Sequence, residues 1–263
     1  MAQAIQKGVE VVLTTGRAPA SVRNLAEETG ANHYIICGNG AIVYDLQKNQ
    51  TIYQNLLDKK KVLQLIKICE ENSIYYNVYT ENSIITKSLN YNTLFYHHEN
   101  SKKPDGKKTN IHIVQDIYEY VANREENDYN KMMICDDNDI IFHSIIKKLK
   151  MVKNVDVLDV GHMSKKIIKE GTEEYPLEYY YTEVSSQNVD KWSAISKLIE
   201  ILKIKPEEVI AIGDNINDQT MLENAGLGIA MANAAPYIQK MAKEITFDNN
   251  SDGVAFAIEK YVK

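Results

Sequence analysis

The segment Val209-Ile-Ala-Ile-Gly-Asp-Asn-Ile-Asn-Asp218 is the strongest indication of the fold class. Its first half, Val209–Gly213, is a short apolar run of the kind that forms a strand buried on both faces of a parallel sheet. The second half leads directly into a predicted helix over about 217–224. Because ligands in a doubly wound sheet bind beyond the carboxyl ends of such strands, we expect Asp214 and Asp218 at the rim of a binding crevice.

The two carboxylates of this turn need a compensating charge or donor, since like charges placed together repel. Mg²⁺ is a hard ion that prefers oxygen ligands, and it is the natural compensator. The alternative is an ordinary turn, rich in Asp and Asn, that caps a helix. The turn alone favours neither interpretation.

Strand and helix patterns alternate at both ends of the chain. Near the amino terminus, a β-branched run at 9–15 predicts a buried strand, a helix follows over 20–29, and Tyr34–Cys37 predicts a second strand. This order predicts a parallel sheet with right-handed crossovers. Beyond residue 185, strand and helix patterns alternate again, and Asp190 can cap a helix with an apolar face. The predicted fold class is therefore α/β.

The middle of the chain has a different character. A predicted hairpin around 47–50 is followed by a helix over 58–72 and by mixed strand and helix patterns. We interpret residues 46–184 as an α+β domain inserted into an α/β domain made of residues 1–45 and 185–263. A chain of 263 residues is long enough for two domains.

Composition excludes several classes of protein. The hydrophobic fraction of 44% and the charged fraction of 25% are ordinary for a soluble globular protein. A formal net charge of −6 without a Lys- or Arg-rich block argues against nonspecific nucleic-acid binding. A pocket with a favourable local field can still bind a small anion.

The three cysteines are far apart and include no Cys-x-x-Cys pair. This pattern argues against a disulfide framework or a zinc site and favours a reducing cytoplasm. We find no signal peptide and no apolar run long enough to span a bilayer, so we expect no membrane partner.

Two further features carry candidate chemistry. Thr15, Gly16 and Arg17 lie at the end of the first predicted strand, where a hydroxyl and successive backbone N–H groups can hold phosphate oxygens. The alternative there is a plain turn that uses its glycine. Lys191 lies in the first turn of a predicted helix, where the helix dipole disfavours a cation unless the ammonium meets an anion. Its alternative is a solvated surface lysine.

Taken in order, these motifs resemble the Cof-type phosphatases of the haloacid dehalogenase superfamily, subfamily IIB. The motifs are Thr15-Gly16-Arg17, Asn39-Gly40-Ala41, Lys191, Gly213-Asp214-x-x-Asn217-Asp218 and Asp252-Gly-Val-Ala255. The resemblance is strongest over residues 189–262 and weak in the middle of the chain. It implies a Rossmann-like core with a mobile inserted cap, and Mg²⁺-dependent hydrolysis of small phosphorylated metabolites, often sugar phosphates.

The resemblance also implies roles for individual residues. Lys191 and Asp218 would be catalytic, Lys191 by neutralising phosphoryl charge and Asp218 by orienting Lys191 or a metal-bound water. Asp214 would ligate Mg²⁺ together with Asp218. The residues expected to bind phosphate or substrate are Thr15, Gly16, Arg17, Asn39, Gly40, Lys191 and Asn217. Trp192 departs from the family, which usually has glycine there, and is expected to crowd the mouth of the pocket.

The family opens with Asp-x-Asp-Gly-Thr, which supplies a nucleophile and a general acid–base. No such motif precedes Val9. Asp137-Asn138-Asp139 has the Asp-x-Asp spacing but lacks Gly-Thr and lies in the predicted insertion. We therefore expect a fragment or a misplaced start codon, and a phosphatase that is inactive as this chain. The alternatives are a pseudophosphatase that still binds Mg²⁺ and phosphate, and a truncated product without function. An intact mass and the DNA upstream of Met1 test for a longer parent, a phosphatase assay separates the enzyme from the two alternatives, and phosphate-dependent thermal stabilisation separates the alternatives from each other.

Overall fold

The computed structural model describes residues 1–17, 19–31, 33–158, 163–170 and 173–262. It divides into two compact units: unit 1 is Met1–Gln54 with Val189–Lys263, and unit 2 is Asn55–Asn188. Each division falls slightly later along the chain than the boundary expected from the sequence. The first boundary falls later because the strand Gln50–Gln54 pairs with the preceding strand, which belongs to unit 1.

The described residues form fourteen strands and ten α-helices. The strands are β1 (Leu13–Thr14), β2 (Tyr34–Cys37), β3 (Ile42–Asp45), β4 (Gln50–Gln54), β5 (Tyr75–Thr80), β6 (Ser83–Thr86), β7 (Asn110–Ile113), β8 (Tyr129–Asp136), β9 (Val155–Val157), β10 (Ser164–Glu170), β11 (Glu173–Ser186), β12 (Ile210–Gly213), β13 (Leu227–Met231) and β14 (Glu244–Thr246). The helices are α1 (Ala2–Gln6), α2 (Pro19–Thr29), α3 (Lys59–Glu71), α4 (Tyr91–Ser101), α5 (Ile117–Asn123), α6 (Asp139–Leu149), α7 (Lys191–Leu202), α8 (Gln219–Asn224), α9 (Pro236–Gln239) and α10 (Gly253–Tyr261).

Unit 1 contains two separate sheets among the described residues. The first has the order β1-β2-β3-β4, with β1 and β2 parallel and the other pairs antiparallel. The second has the order β12-β13-β14 and is entirely parallel. The α/β class is confirmed, and so is the predicted hairpin, which β3 and β4 form.

The apolar run at 9–15 forms a shorter strand than its pattern predicts. Only Leu13 and Thr14 pair, with Ile35 and Ile36 of β2. Residues 9–15 are all partly or largely exposed, and Val9 is 39% exposed. The expectation of a strand buried on both faces was wrong. Within the described ranges, β1 is a two-residue strand at the edge of its sheet, and both of its residues are partly exposed.

Apolar packing in unit 1 fixes the start of α7. Ala194 and Leu198 on one face of this helix pack with Tyr34, Ile36 and Val43 of the first sheet. Asp190 caps the helix, as predicted, by accepting hydrogen bonds from two backbone N–H groups of its first turn. The first turn of α7 is therefore held both by its cap and by its packing.

Unit 2 is built on a seven-stranded sheet. Six of its strands follow the order β10-β11-β8-β5-β6-β7, and β9 pairs with β11. Apolar residues of α3, α5 and α6 cover one face, and α4 packs over tyrosine-rich residues of the other. The two ends of unit 2 are joined, since Asn55 Nδ2 donates to the carbonyl of Gln187 at 3.0 Å. Across the described part of the chain, no helix combines the length and the apolar character needed to cross a bilayer.

Candidate functional site

A shielded ion pair lies at the centre of the candidate site in unit 1. Lys191 Nζ is 2.5 Å from Asp218 Oδ1, and the two side chains are only 7% and 5% exposed. The same ammonium donates to the carbonyl of Thr14 at 3.3 Å. Lys191 therefore connects the end of β1 with the turn that follows β12.

Asp190 holds the first turn of α7 in place. Its Oδ1 accepts hydrogen bonds from the backbone N–H groups of Trp192 and Ser193, at 2.9 and 3.1 Å, and from Thr220 Oγ1 at 2.8 Å. The Thr220 bond ties this turn to α8. The cap thus fixes the backbone that carries Lys191.

The loop after β2 packs closely against this cap. Gly40 has a φ of +106°, and a Cβ atom there would lie 2.1 Å from the carbonyl oxygen of Asp190. Only glycine combines this backbone conformation with so close an approach. The role of Gly40 that the structure supports is therefore close packing of the loop against the start of α7.

The turn after β12 is organised by the carboxylate of Asp218. Its Oδ2 accepts from the backbone N–H groups of Asp214 and Asn215 at 2.8 and 2.9 Å. Gly213 makes room for this carboxylate, because a Cβ atom there would lie 2.5 Å from Asp218 Cβ. Both oxygens of Asp218 are thus engaged, one by Lys191 and one by the turn.

Asp218 was expected to ligate a metal together with Asp214; in the structure its two oxygens accept from Lys191 and from backbone N–H groups of the turn. Its engaged oxygens and burial suit a residue that orients Lys191 and shapes the turn. Asp214, by contrast, is exposed, and its Oδ2 accepts from Asn233 Nδ2 at 2.9 Å. Among the described residues, no group of three or more His, Cys, Asp or Glu side chains is arranged to hold a metal ion.

Two loops from the first sheet lie together beside this turn. The backbone N–H of Asn39 donates to the carbonyl of Thr15 at 3.0 Å, and that of Gly38 donates to the carbonyl of Arg17 at 2.9 Å. Thr15 Oγ1 accepts from the backbone N–H of Arg17 at 3.2 Å. The 15–17 loop is therefore closed on itself and paired with the 38–40 loop.

Asn39 links these loops to the acidic turn. It adopts a left-handed backbone conformation with φ of 59°, and its Oδ1 accepts from Asn217 Nδ2 at 2.9 Å. A Cβ atom on Gly16 would come within 2.7 Å of the same Oδ1. The structure thus brings together the predicted residues Thr15, Gly16, Asn39, Gly40, Lys191, Asn217 and Asp218. Asp214 borders this group, and Arg17 is exposed at its edge.

The Asp137-Asn138-Asp139 motif has a local structural role in unit 2. Asn138 caps α6, with Oδ1 accepting from the backbone N–H groups of Ile140 and Ile141 at 3.0 and 3.1 Å. Asp139 pairs with His143 on the same helix. Trp192, which was expected to crowd the mouth of the pocket, is partly buried against the apolar cluster around Ala211 and Met221.

Asn233 and Thr220 belong to the site but were not predicted from the sequence. Asn233 follows the carboxyl end of β13, which is the parallel neighbour of β12. The available signal was a polar side chain just after the apolar run Leu227–Met231, since parallel neighbours end at one edge of the sheet. Thr220 gave no comparable signal, because its partner Asp190 lies on another helix.

Residues 1–258 match the family described as haloacid dehalogenase-like hydrolase. The phosphatase YwpJ of Bacillus subtilis is 29% identical over 261 residues, covering 96% of this chain and 88% of that protein. The 5-amino-6-(5-phospho-D-ribitylamino)uracil phosphatase YcsE of the same organism is 27% identical, covering 99% of this chain and 85% of its own length. A solved structure of a haloacid dehalogenase-like hydrolase from B. subtilis has a TM-score of 0.78 and 25% identity, covering 100% of this chain and 90% of that one.

Proposed function

Because this chain belongs to the haloacid dehalogenase-like hydrolase family, we propose that unit 1 carries the phosphate- and Mg²⁺-binding site of a phosphatase for small phosphate esters. The observation that carries the proposal is the shielded Lys191–Asp218 pair at 2.5 Å, placed beside two loops with backbone N–H groups. Preorganised charge and N–H groups are what phosphoryl transfer chiefly requires of a protein.

Each residue has a proposed task in holding the phosphoryl group. Thr15 and the loop through Gly16 and Arg17 would contact its oxygens, and the Asn217 amide would donate to another. Lys191 would neutralise its negative charge, and Asp218 would keep the ammonium pointed at it. The hydrogen bond from Asn217 Nδ2 to Asn39 Oδ1 supports this arrangement, because it sets the direction of the Asn217 amide.

The exposed carboxylate of Asp214 would hold the metal. Mg²⁺ usually binds through one or two carboxylates, several waters and the phosphate of the substrate, so a single protein carboxylate fits this ion. When bound, the metal would draw charge from a phosphoryl oxygen as a Lewis acid. In this proposal the two carboxylates have different roles: Asp214 binds the metal, and Asp218 orients Lys191.

The substrate class is a small phosphorylated metabolite such as a sugar phosphate, handled in the cytoplasm. Support comes from the relative YcsE, whose name gives it a phosphorylated ribitylamino compound as substrate. Unit 2 would act as the cap that selects the substrate. One face of its sheet, the face under α4, is rich in tyrosines. Most of these tyrosines pack within one apolar cluster.

A non-catalytic binding protein is the second candidate. The observation in its favour is that the 263 residues contain no Asp-x-Asp-Gly-Thr sequence. Asn138 of the Asp-x-Asp in unit 2 caps a helix. We therefore expect the 263 residues alone to bind phosphate with Mg²⁺ and to give no turnover.

Two measurements test these proposals. Orthophosphate with Mg²⁺ should raise the midpoint of thermal unfolding, because a ligand that binds only the folded state stabilises it. Thr15→Ala and Asn217→Ala should reduce that rise. Asn224→Ala is the matched control, since its amide donates to the Thr220 carbonyl on the same helix α8. No rise with the unaltered chain would contradict the phosphate site.

Hydrolysis of p-nitrophenyl phosphate separates the two candidate functions. Turnover that needs Mg²⁺ and disappears in Asp214→Ala would establish hydrolysis by this chain and exclude the non-catalytic alternative. Phosphate-dependent stabilisation without turnover would favour a binding protein.

A further inference from the structure

Three neighbouring strand ends in unit 1 are connected by a row of hydrogen bonds. Because β12, β13 and β14 are parallel neighbours, their carboxyl ends lie at one edge of the sheet. Asp214 follows β12, Asn233 follows β13 and Asn249 follows β14. Asn233 Nδ2 donates to Asp214 Oδ2 at 2.9 Å, and the backbone N–H of Asn249 donates to Asn233 Oδ1 at 3.1 Å.

The backbone around Asn233 is clamped from both sides. Gln239 Nε2 donates to the carbonyls of Ala232 and Ala234, at 2.9 Å in each case. The Asn249 N–H is a donor, so the amide oxygen of Asn233 must face it and the NH₂ group must face Asp214. Position and orientation of the amide are thus both determined by its neighbours.

The contact leaves the Asp214 carboxylate with unequal oxygens. Oδ2 accepts from Asn233, whereas Oδ1 is the oxygen that can bind a cation. We propose that Asn233 is a positioning residue that makes Asp214 a one-oxygen ligand for a divalent cation. This inference rests on the metal site of the proposed function and adds a residue to it.

The proposal rests on the role of residues that hydrogen-bond to a metal ligand without touching the metal. A carboxylate that binds a metal is held by hydrogen bonds from residues behind it, and losing such a partner typically weakens metal binding about 10- to 100-fold. Without Asn233, the Asp214 side chain could rotate and offer both oxygens. The loss of a fixed orientation would weaken binding and change the way the carboxylate coordinates.

The test uses Mn²⁺ in the presence of orthophosphate as the probe, because the phosphate completes the metal site and free Mn²⁺ is counted directly by electron paramagnetic resonance. We expect Asn233→Leu, which keeps the branched shape of the side chain without its polar atoms, to raise the Kd for Mn²⁺ about 10-fold or more. Asn233→Ala should do the same. Asn250→Leu is the matched control in the neighbouring loop, and its Kd should equal that of the unaltered chain.

A second readout separates positioning from a merely structural role. The separation between the two carboxylate stretching bands differs between one-oxygen and two-oxygen coordination, and a metal-induced infrared difference spectrum reports it. The unaltered chain should show the one-oxygen pattern, and Asn233→Leu the two-oxygen pattern with an unchanged unfolding midpoint of the metal-free protein.

The outcomes distinguish the two proposals. If the unaltered chain binds Mn²⁺ no better than Asp214→Ala, the metal site of the proposed function fails, and this inference fails with it. If the unaltered chain binds Mn²⁺ but Asn233→Leu has a Kd within twofold of it, the metal site stands and the role of Asn233 is overturned.

Discussion

Lys191 and Asp218 form an ion pair at 2.5 Å between residues 27 positions apart, with both side chains almost fully shielded from solvent. Burial of two charges carries a desolvation penalty, so such a pair is weak evidence of added stability. Its surroundings are more informative, because the ammonium also reaches the Thr14 carbonyl and the carboxylate also organises the turn after β12. The pair fixes a positive charge where two loops of the first sheet meet that turn.

Removal of the Lys191 charge should destabilise unit 1 strongly. In Lys191→Met, the Asp218 carboxylate stays buried and keeps only the backbone donors of Asp214 and Asn215. Loss of one member of a buried pair typically costs about 3–5 kcal/mol. Urea unfolding of the variant measures the change in the free energy of unfolding.

Lys197→Met is the control on the same helix. Lys197 pairs with Glu200 at 3.3 Å, with side chains 54% and 72% exposed. Exposed pairs contribute less than about 1 kcal/mol. If both substitutions lower the free energy of unfolding equally, the claim that the buried pair matters more for stability than the exposed pair is contradicted.

Gly40→Ala should disrupt the contact between the 38–40 loop and the start of α7. The added Cβ meets the Asp190 carbonyl, a backbone atom that cannot rotate away, and the residue also has a positive φ. Gly8→Ala is a matched control, because Gly8 has a φ of +80° with no atom within 4 Å of the added Cβ. Backbone strain alone costs about 1–3 kcal/mol, so Gly40→Ala should lower the free energy of unfolding by more than Gly8→Ala does. If Gly40→Ala and Gly8→Ala lower the free energy of unfolding equally, the structure accommodates the added Cβ at residue 40 without extra cost.

The stabilising contribution of Asp45 should depend on pH. Burial raises the pKa of this carboxyl, but the hydrogen bond from the Lys48 backbone N–H and the nearby Lys48 ammonium, 3.4 Å from Oδ2, outweigh burial and hold the pKa below its ordinary value. A lowered folded-state pKa stabilises the fold above the unfolded-state pKa and loses that effect as pH falls through the folded-state pKa.

Asp45→Asn should therefore be less stable than the unaltered chain at neutral pH, with a difference that shrinks on acidification below the ordinary pKa of aspartate. Urea unfolding at several pH values measures this difference. A difference that is constant with pH would contradict the argument.

The three cysteine thiols should not react in the folded protein. Cys37, Cys69 and Cys135 are buried and form no disulfides in the described residues, and burial raises the pKa of Cys69 and of Cys135 well above its ordinary value. The reactive species is the thiolate, so labelling with a chromogenic disulfide at pH 8 should proceed only through opening of the fold. Addition of urea should release all three thiols. Fast labelling in native buffer would show that one of these sites is open to solvent.

Residues 189–262 were the most predictable part of unit 1, because their signals are local. Asp190 caps α7, and Val209–Gly213 reads as a strand from its own composition. The run at 9–15 has an equally strong pattern but forms only a short, half-exposed strand. A pattern reports what a segment would bury, whereas the number of neighbouring strands depends on the rest of the fold.

The candidate site was predictable in its members and less so in their tasks. Thr15, Lys191 and Asp218 come together as motif order suggested. The engagement of both Asp218 oxygens could not be predicted, since it depends on the three-dimensional path of the turn. Asn233 reaches Asp214 because Gly213 stands opposite Ala230 in the parallel register of β12 and β13, which one sequence does not specify.

The bond from Asn55 to Gln187, which closes the ends of unit 2, matters for the order of assembly during translation. The ribosome delivers β1–β4 first, then all of unit 2, and only then Lys191 and the acidic turn. At about 5–20 residues per second, Thr14 waits roughly 9–35 s for its lysine partner, 177 residues later. Once unit 2 has folded around its joined ends, the remaining tether between the two segments of unit 1 is short, and the entropic cost of bringing them together is correspondingly small.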